Sequence, residues 1–571
     1  MKKQGNGHFP DDCWELIFQK LREDDDCDLD SISLVSKRFL SISNRVKLNL
    51  KVEGVTLPLL ENLLQRFPHI KRIVINTYAQ KDTDGLVDKI AEFGVLNLEA
   101  IKFGGWTEPP RDGFTALAFN NNVKNTLKVL DCSGLIYMQD NDLVLIGVCF
   151  PRLEELRISV RNSTAYDMAA AGISCITDDG VDALASKLKE LKQIAFTGNA
   201  CFITDKSLIS LSTKCIKLRK ISLRIWGISQ HRVTGDGIGF VMQHSPNLTS
   251  LSLQLWSSNS SQHSAFSFPV ENAFTNAKNL YSLTMSRDLI SDKHICLLAK
   301  ARPPLKKLKF IVIKDQYSEI HGGLKMLLQV CQLTLEKLTL RGWPLTDTSM
   351  DDLAKYLSNL TYINLDSSIG LTSITFYNLT KSCPLLETLK MAHTRGQEMD
   401  NFSPNYLHEH YCMRHLDICG NSWLIDMTLQ NIGQVCPNLQ FLDVSHCLHL
   451  SYFGIGEVLR RCPAITQLHI DCLEVSDVFG CCSDYSAVNL KTLKANVPRL
   501  NDDGMAMIGN KCRNLQYLHI GFCEEVTDKG VMEVVRNCER PREITLIGCK
   551  EVSEQVINRA LSFGCRLVKL S

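Results

Sequence analysis

Leu515-Gln516-Tyr517-Leu518-His519-Ile520-Gly521-Phe522-Cys523 is the stretch from which the rest of the chain can be read. With Leu515 as position 1, apolar side chains fall at positions 1, 4 and 6, and a cysteine closes the segment at position 9. The frame returns as Leu439-Leu442-Val444, Ile465-Leu468-Ile470 and Leu490-Leu493-Ala495. Its starts are 413, 439, 465, 490, 515, 541 and 567, and upstream near 386, 360, 335, 305, 280, 248, 218, 191, 153, 127, 98 and 70. A sustained period of roughly 20 to 29 residues marks an array that grows by addition instead of one large core.

Positions 4 and 6 of a short strand lie on one face, and positions 3, 5 and 7 on the other. Between the strands, residues 427–435, 454–459 and 530–535 carry apolar residues at helical spacing. These stretches run into Cys383-Pro384, Cys436-Pro437 or Cys462-Pro463, or into Phe67-Pro68 and Phe150-Pro151, where proline stops a helix. Thr177-Asp178, Thr204-Asp205 and Thr527-Asp528 open the helical halves, with oxygens suited to capping free helix N–H groups. One such unit cannot bury both of its apolar faces alone, so successive units must stack. The units resemble the cysteine-containing leucine-rich repeats. The expected fold class is α/β: a solenoid of parallel strands on a concave face and helices on a convex one, about 19 units over residues 47–571. Position 9 is Cys447, Cys523 and Cys549, or Asn199 and Asn421, where a small polar group serves the turn backbone. Trp106, Trp226, Trp256 and Trp343 share that position, either filling turns or forming a ligand-contacting row.

Composition narrows the function. Of 571 residues, 44% are hydrophobic and 22% charged, which excludes wholesale disorder. Lys plus Arg number 63 against 62 for Asp plus Glu, so no global field draws nucleic acid. The opening MKKQGNGHFP has no apolar run, and no stretch reaches the length of a membrane span. The expectation is a soluble chain of the cytoplasm or nucleus. Twenty-three cysteines, an odd number, then read as reduced, packed thiols. The sequons at Asn162 and Asn247 read as chance. No pair of C-x-x-C hooks occurs, and Cys481-Cys482 are adjacent, so no metal site is expected.

Residues 1–46 lack the repeat frame. Pro10 suits a first helical residue and is followed by Trp14, Ile17, Phe18 and Leu21 as an apolar stripe. Leu29, Ile32, Leu34 and Val35 mark a second short helix, and Phe39, Leu40, Ile42 and Val46 a third. Three short helices cannot internalise all of this surface, so part should face a partner or the first repeat. Phe9-Pro10, Ile17-Phe18, Leu21, Asp28-Leu29 and Leu34-Val35-Ser36-Lys37-Arg38-Phe39 resemble an F-box, with Glu23 to Cys27 lengthening its first loop. The resemblance implies docking on a Skp-type adaptor through Phe9, Pro10, Trp14, Ile17, Phe18, Leu21, Leu29, Leu34, Val35 and Phe39. F-box plus repeats resembles the F-box/LRR substrate receptors, including the large plant set, of SCF-type cullin-RING ubiquitin ligases. It implies a non-catalytic subunit without cofactor that presents a protein target for ubiquitination and proteasomal degradation.

No catalytic constellation stands out. Gly235-Asp236-Gly237-Ile238-Gly239 has the wrong spacing for a dinucleotide loop, and His408-Glu409-His410-Tyr411 reads as a surface loop. The repeat frame places Arg72, Lys102, Arg157, Lys220, Arg224, Lys307, Lys309, Lys337, Arg341 and Lys390 on the open face. Later strands add Asp366, Asp417, Phe441, Asp443, His469, Asp471, Tyr517 and His519. Arg224, Lys307, Lys309, Lys337, Arg341, Lys390, Phe441, His469, Tyr517 and His519 are the expected target-binding set. Lys307, Lys309, Lys337 and Arg341 form its anion-binding centre, for an acidic or phosphorylated target or an anionic small molecule. The alternatives are a hormone or small-anion receptor and a ligase-independent scaffold. Residues 162–174 and 257–268 read as loops leaving the array.

Overall fold

The computed structural model describes residues 9–570 apart from 25, 55, 77–82, 94–95, 161–174, 200, 227–232, 257–273, 275, 287–290, 313–321, 397–406, 474–488 and 540. The two excursions, Cys481-Cys482 and the sequon at Asn162 lie outside the described residues. The chain divides into two units, Met1–Leu280 and Tyr281–Ser571.

The first unit opens with helices Asp11–Asp24, Asp26–Ser33 and Lys37–Val46. Phe18, Leu29, Ile42 and Val46 form their core, flanked by Trp14, Leu21, Ile32 and Phe39. Trp14 and Phe39 rings lie 4.7 Å apart, and Phe18 meets Phe39 edge-on at 5.3 Å. Arg38 Nε binds Asp11 at 2.7 Å and Arg45 Nε binds Glu15 at 2.6 Å, tying the first helix to the third. Two expectations change here. Glu23 and Asp24 extend the first helix, and the second begins two residues later, so this stretch is mostly helical where a loop was expected. The second helix ends at Ser33, leaving Leu34 and Val35 in a turn before Ser36, whose hydroxyl caps the third helix by accepting from Phe39 N–H.

A parallel sheet follows in the first unit: Asn49–Glu53, Arg72–Asn76, Ala100–Gly104, Val129–Cys132, Glu155–Val160, Gln193–Gly198, Lys220–Trp226 and Ser250–Trp256, each beside the next. The second unit runs in the same manner through Ser282–Ser286, Lys307–Ile311, Lys337–Arg341, Tyr362–Asn364, Thr388–Lys390, His415–Asp417, Phe441–Asp443, Gln467–His469, Thr492–Lys494, Tyr517–Gly521, Glu543–Ile547 and Arg566–Leu570. Positions 4 and 6 point inward, and Leu442, Val444, Leu468 and Ile470 are fully buried. Both units are therefore leucine-rich-repeat solenoids, α/β in class, with helices packed in sequence behind the strands.

The register corrects both ends of the array. Asn49–Glu53 pairs with Arg72–Asn76, placing Leu50 and Val52 at positions 4 and 6 of a rung whose position 1 is Lys47, so an apolar frame passes over it. At the other end Ile544 pairs with Leu567. Leu567 is thus position 4, and the last rung starts at 564, not 567.

One contact repeats along the helix row. Asp178, first residue of its helix, accepts from the Thr204 N–H at 2.9 Å and the Thr204 hydroxyl at 2.6 Å, Thr204 being the cap of the following helix. Asp140 holds Thr177 in the same way, Asp205 holds Thr234, Asp426 holds Ser451, Asp502 holds Thr527 and Asp528 holds Ser553. In four of these helices the third residue is a glycine that lies against the same carboxylate. Gly180 does so against Asp140, where a Cβ would collide with the oxygen. The threonine thus caps its own helix and anchors it to its predecessor.

Cysteines at the helix ends make a second ladder. Cys462 Sγ donates to the Cys436 carbonyl at 3.2 Å, and Cys215 Sγ to that of Leu188 at 3.4 Å. His410 takes this place in its own repeat. It is buried, its Nε2 lies 2.9 Å from the Cys383 carbonyl, and its Nδ1 accepts from Met413 N–H. The expected surface loop at His408 to Tyr411 is thus corrected at His410, an internal strut. At position 9, Cys447 and Cys523 donate to the carbonyls of Ile418 and Val497, and Asn421 donates to those of Met391 and Ile418.

Asp347 receives four donors, the N–H and hydroxyl of both Thr372 and Thr375. Asp347→Ala is expected to cost about 3 kcal/mol, since buried donors lose a charged acceptor, and Asp347→Asn clearly less. The urea midpoint of the full chain checks both.

Candidate functional sites

Two surfaces bear on function: an apolar patch on the helical segment, and the open strand faces of the two units.

On the helical segment, the expected adaptor set splits. Phe18 and Leu29 are core, 1% and 2% exposed, so neither can touch a partner, and Trp14, Leu21 and Phe39 pack around them. The stripe of Trp14, Phe18 and Leu21 faces inward because it closes this core. Phe9, Pro10, Ile17, Leu34 and Val35 remain on the surface. Leu34 is 86% exposed, two residues before the cap of the third helix. Leu16, 66% exposed, joins them and was missed in the sequence because it stands off the helical stripe. Pro10 precedes the first helix, and its carbonyl accepts from Cys13 and Trp14 N–H.

On the strand face of the first unit, positions 3, 5 and 7 form rows running across the strands. The position 5 row reads Arg157, Ala195, Ser222 and Ser252. After Arg157 it is made of small side chains, flanked by Gln193 and Lys220 in the position 3 row and by Thr197, Arg224 and Gln254 in the position 7 row. The result is a trough of about 390 Å³ whose lining includes Arg157, Lys220 and Arg224. Glu155 also lines it and binds Arg157 at 2.6 Å.

In the second unit, Lys307 pairs directly with Lys337, while Lys309 faces Thr339 and Ile311 faces Arg341. These four cations share two neighbouring strands, as expected. Glu336 lies beside them, binds Lys306 at 2.9 Å, and has its carboxyl held below the ordinary range first by that bond.

Further along the second unit the face becomes aromatic and acidic. The His415 ring stacks on Phe441 at 3.9 Å with 3° between planes, and Phe441 meets His469 edge-on at 4.9 Å. His469 Nδ1 lies 3.1 Å from Asp443 Oδ2, and Lys390 Nζ 3.4 Å from Asp417 Oδ2. Burial opposes the charge of Asp443, yet the bonds from His469 and the Ser445 N–H hold its carboxyl below the usual value. Burial, with Asp443 next to it, pushes Asp417 up. Burial and then Lys390 bring His415 down to about 4, and its Nε2 has no hydrogen-bond partner among the described residues. The structure thus gathers Lys390, Phe441 and His469 of the expected set and adds His415, Asp417 and Asp443. Tyr517 and His519 stand on a later strand, with His519 beside Lys494. Arg224 belongs to the first unit and its trough.

The position 9 tryptophans do not form one row. Trp343 is buried and stacks on Phe310 at 5.6 Å, Trp226 is half-buried, and Trp106 is 62% exposed. The Trp256 side chain lies outside the described ones. Among the described residues no cluster of three or more His, Cys, Asp or Glu is placed to hold a metal ion, and no helix is long and apolar enough to cross a membrane.

With this geometry in view, an F-box domain model matches residues 7–51. F-box/LRR-repeat protein 4 of Bos taurus is 25% identical over 33% of this chain and 32% of its own. BTB/POZ domain-containing protein FBL11 of Arabidopsis thaliana is 26% identical over 25% of this chain and 14% of its own. The chain therefore spans under a third of either relative's length. The solved TLR13–ssRNA13 complex is similar at 14% identity and a TM-score of 0.49, over 89% of this chain and 68% of that one. The F-box match covers the three helices and runs into the first strand, and the leucine-rich repeats follow it.

His415 sets a pH dependence. A histidine held near 4 in the fold and near 6.5 when unfolded favours the fold above pH 6.5, and that contribution is lost as pH falls from 6.5 toward 4. Urea unfolding of the full chain at pH 7 and pH 5 should show this loss, and His415→Phe should reduce it.

Proposed function

We propose that the chain is the substrate-recognition subunit of an SCF-type cullin-RING ubiquitin ligase. The helical segment docks the Skp-type adaptor, the strand faces hold a protein target, and other subunits transfer ubiquitin. The contribution is proximity: the target is kept near a charged enzyme that it would otherwise meet by diffusion. The chain itself needs neither catalytic residue nor cofactor for this, and it would act in the cytoplasm or nucleus, leading its target to the proteasome.

One observation carries the docking half. A helical segment with a complete internal core still exposes Phe9, Leu16, Ile17, Leu34 and Val35, and exposed apolar side chains grouped on so small a segment mark an interaction surface. The F-box match over residues 7–51 supports a Skp-type protein as the partner. Target binding by the strand faces is supported by their exposed cations and half-buried aromatics.

Leu34→Asp combined with Val35→Asp puts two charges into this surface without touching the core. Adaptor capture in a pull-down should fall at least about tenfold, because apolar anchors at interface centres are each worth more than 1 kcal/mol. The circular dichroism spectrum should not change. Undiminished capture would refute the docking face.

A further inference from the structure

We propose that Cys523 and Cys549 are a peroxide-sensitive dithiol, which oxidation joins as a disulfide between two neighbouring rungs of the second unit. The modification belongs to the repeat array and needs neither adaptor nor target.

Both residues stand at position 9, and the strands before them pair in register with Gly521 beside Ile547, so the two cysteines fall at equivalent places two residues further on. Both are buried. Elsewhere on the array a cysteine sulfur ends on the backbone of the preceding rung: Cys447 on the Ile418 carbonyl at 3.4 Å, Cys462 on that of Cys436 at 3.2 Å and Cys538 on that of Cys512 at 3.5 Å. Cys523 follows this rule with Val497 at 3.2 Å. Cys549 departs from it. Among the described residues its carbonyl partner is Ile547 of its own turn, at 3.7 Å, and across the rungs its sulfur instead hydrogen-bonds the Cys523 side chain. The register has therefore set sulfur against sulfur where the other rungs set sulfur against oxygen.

The two sulfurs are not equivalent. Bonds from the Cys523 side chain and backbone, and the charge of Lys569, hold the Cys549 thiol below its ordinary value in spite of burial. Lys569 is itself fixed by a 2.6 Å bond from its Nζ to the Val552 carbonyl. The contact with Cys549, and then burial, push Cys523 up. The thiolate is the form that attacks a peroxide, so Cys549 reacts first. Its sulfur breaks the O–O bond, keeps one oxygen as a sulfenic acid and releases the other as hydroxide, which takes up the proton that Cys549 gave up. The Cys523 sulfur then attacks the sulfenic sulfur; the S–S bond forms, and the hydroxyl leaves with the Cys523 proton as water. Two thiols are oxidised and one hydrogen peroxide is reduced to two waters. The pair lies in the turn after the strand, beside Phe522, which is 64% exposed with its ring next to Gly548. Opening that turn admits a molecule little larger than water, whereas Cys462 and Cys538 close helices inside the row.

The test treats the full chain with hydrogen peroxide at low molar excess, caps the remaining thiols with N-ethylmaleimide in denaturant, and compares tryptic peptides by mass spectrometry with and without dithiothreitol. Residues 514–529 and 543–550 are released as separate peptides with one cysteine each, so a link between them assigns the bond. That link should appear with peroxide and vanish on reduction, while Cys383 and Cys462 stay in the capped form. Cys549→Ser should lose the link and leave Cys523 capped. Cys523→Ser should lose the link but keep the first step, read as a dimedone adduct on Cys549. A native chain that forms no such link would overturn the inference. So would a link that forms only at peroxide doses that also oxidise Cys383 and Cys462, since the chain would then be reacting as it unfolds, or a Cys523→Ser chain, native by circular dichroism, whose Cys549 takes no dimedone.

Discussion

The carboxylate that opens one helix and holds the cap of the next is the constraint on which the structure depends. It fixes the offset between neighbouring repeats at the helix row, as hydrogen bonding fixes it at the strands. A strand can slip along its neighbour by a residue only by turning its apolar side chains outward. A helix row has no such rule of its own, because ridges and grooves tolerate a range of crossing angles. Asp178 on Thr204 and Asp502 on Thr527 supply the missing rule with a charged acceptor and two donors of fixed direction. Each pair also spends an unsatisfied helix-end group productively, since the N–H that Asp engages belongs to a cap residue.

The expected architecture was legible because it depends on a short apolar frame repeated many times, so errors in single repeats average out. The frame failed where no neighbour lies beyond it. Lys47 at position 1 hid the first rung, and at the last rung Leu567 and Leu570 matched positions 1 and 4 of a frame displaced by three residues. His410 was misread for a different reason. It stands where cysteines usually stand, and only the ladder of sulfur-to-carbonyl contacts shows that an imidazole can span the same gap.

The sites were less legible because they depend on neighbours in space. Ten residues of the helical segment were expected at the adaptor, but an apolar stripe does not say which of its members close a core. Phe18 and Leu29 do, and Leu16, off the stripe, does not. On the strand faces the frame correctly turned charged residues outward. It drew attention to long side chains, whereas the trough depends on the short ones between them. Ala195 and Ser222 carry no chemical signal in the sequence, and their meaning comes from lying side by side beneath Lys220 and Arg224.

The cysteine ladder has a consequence beyond packing. Burial pushes the Cys383 and Cys462 thiols up to about 12 and that of Cys215 to about 11, so in the native fold almost none exists as the thiolate that electrophiles and oxidants attack. Because such thiols are distributed among the rungs, accessibility to an alkylating reagent becomes a map of local opening: a rung that parts from its neighbour betrays itself by the sulfur it uncovers, long before the whole molecule melts.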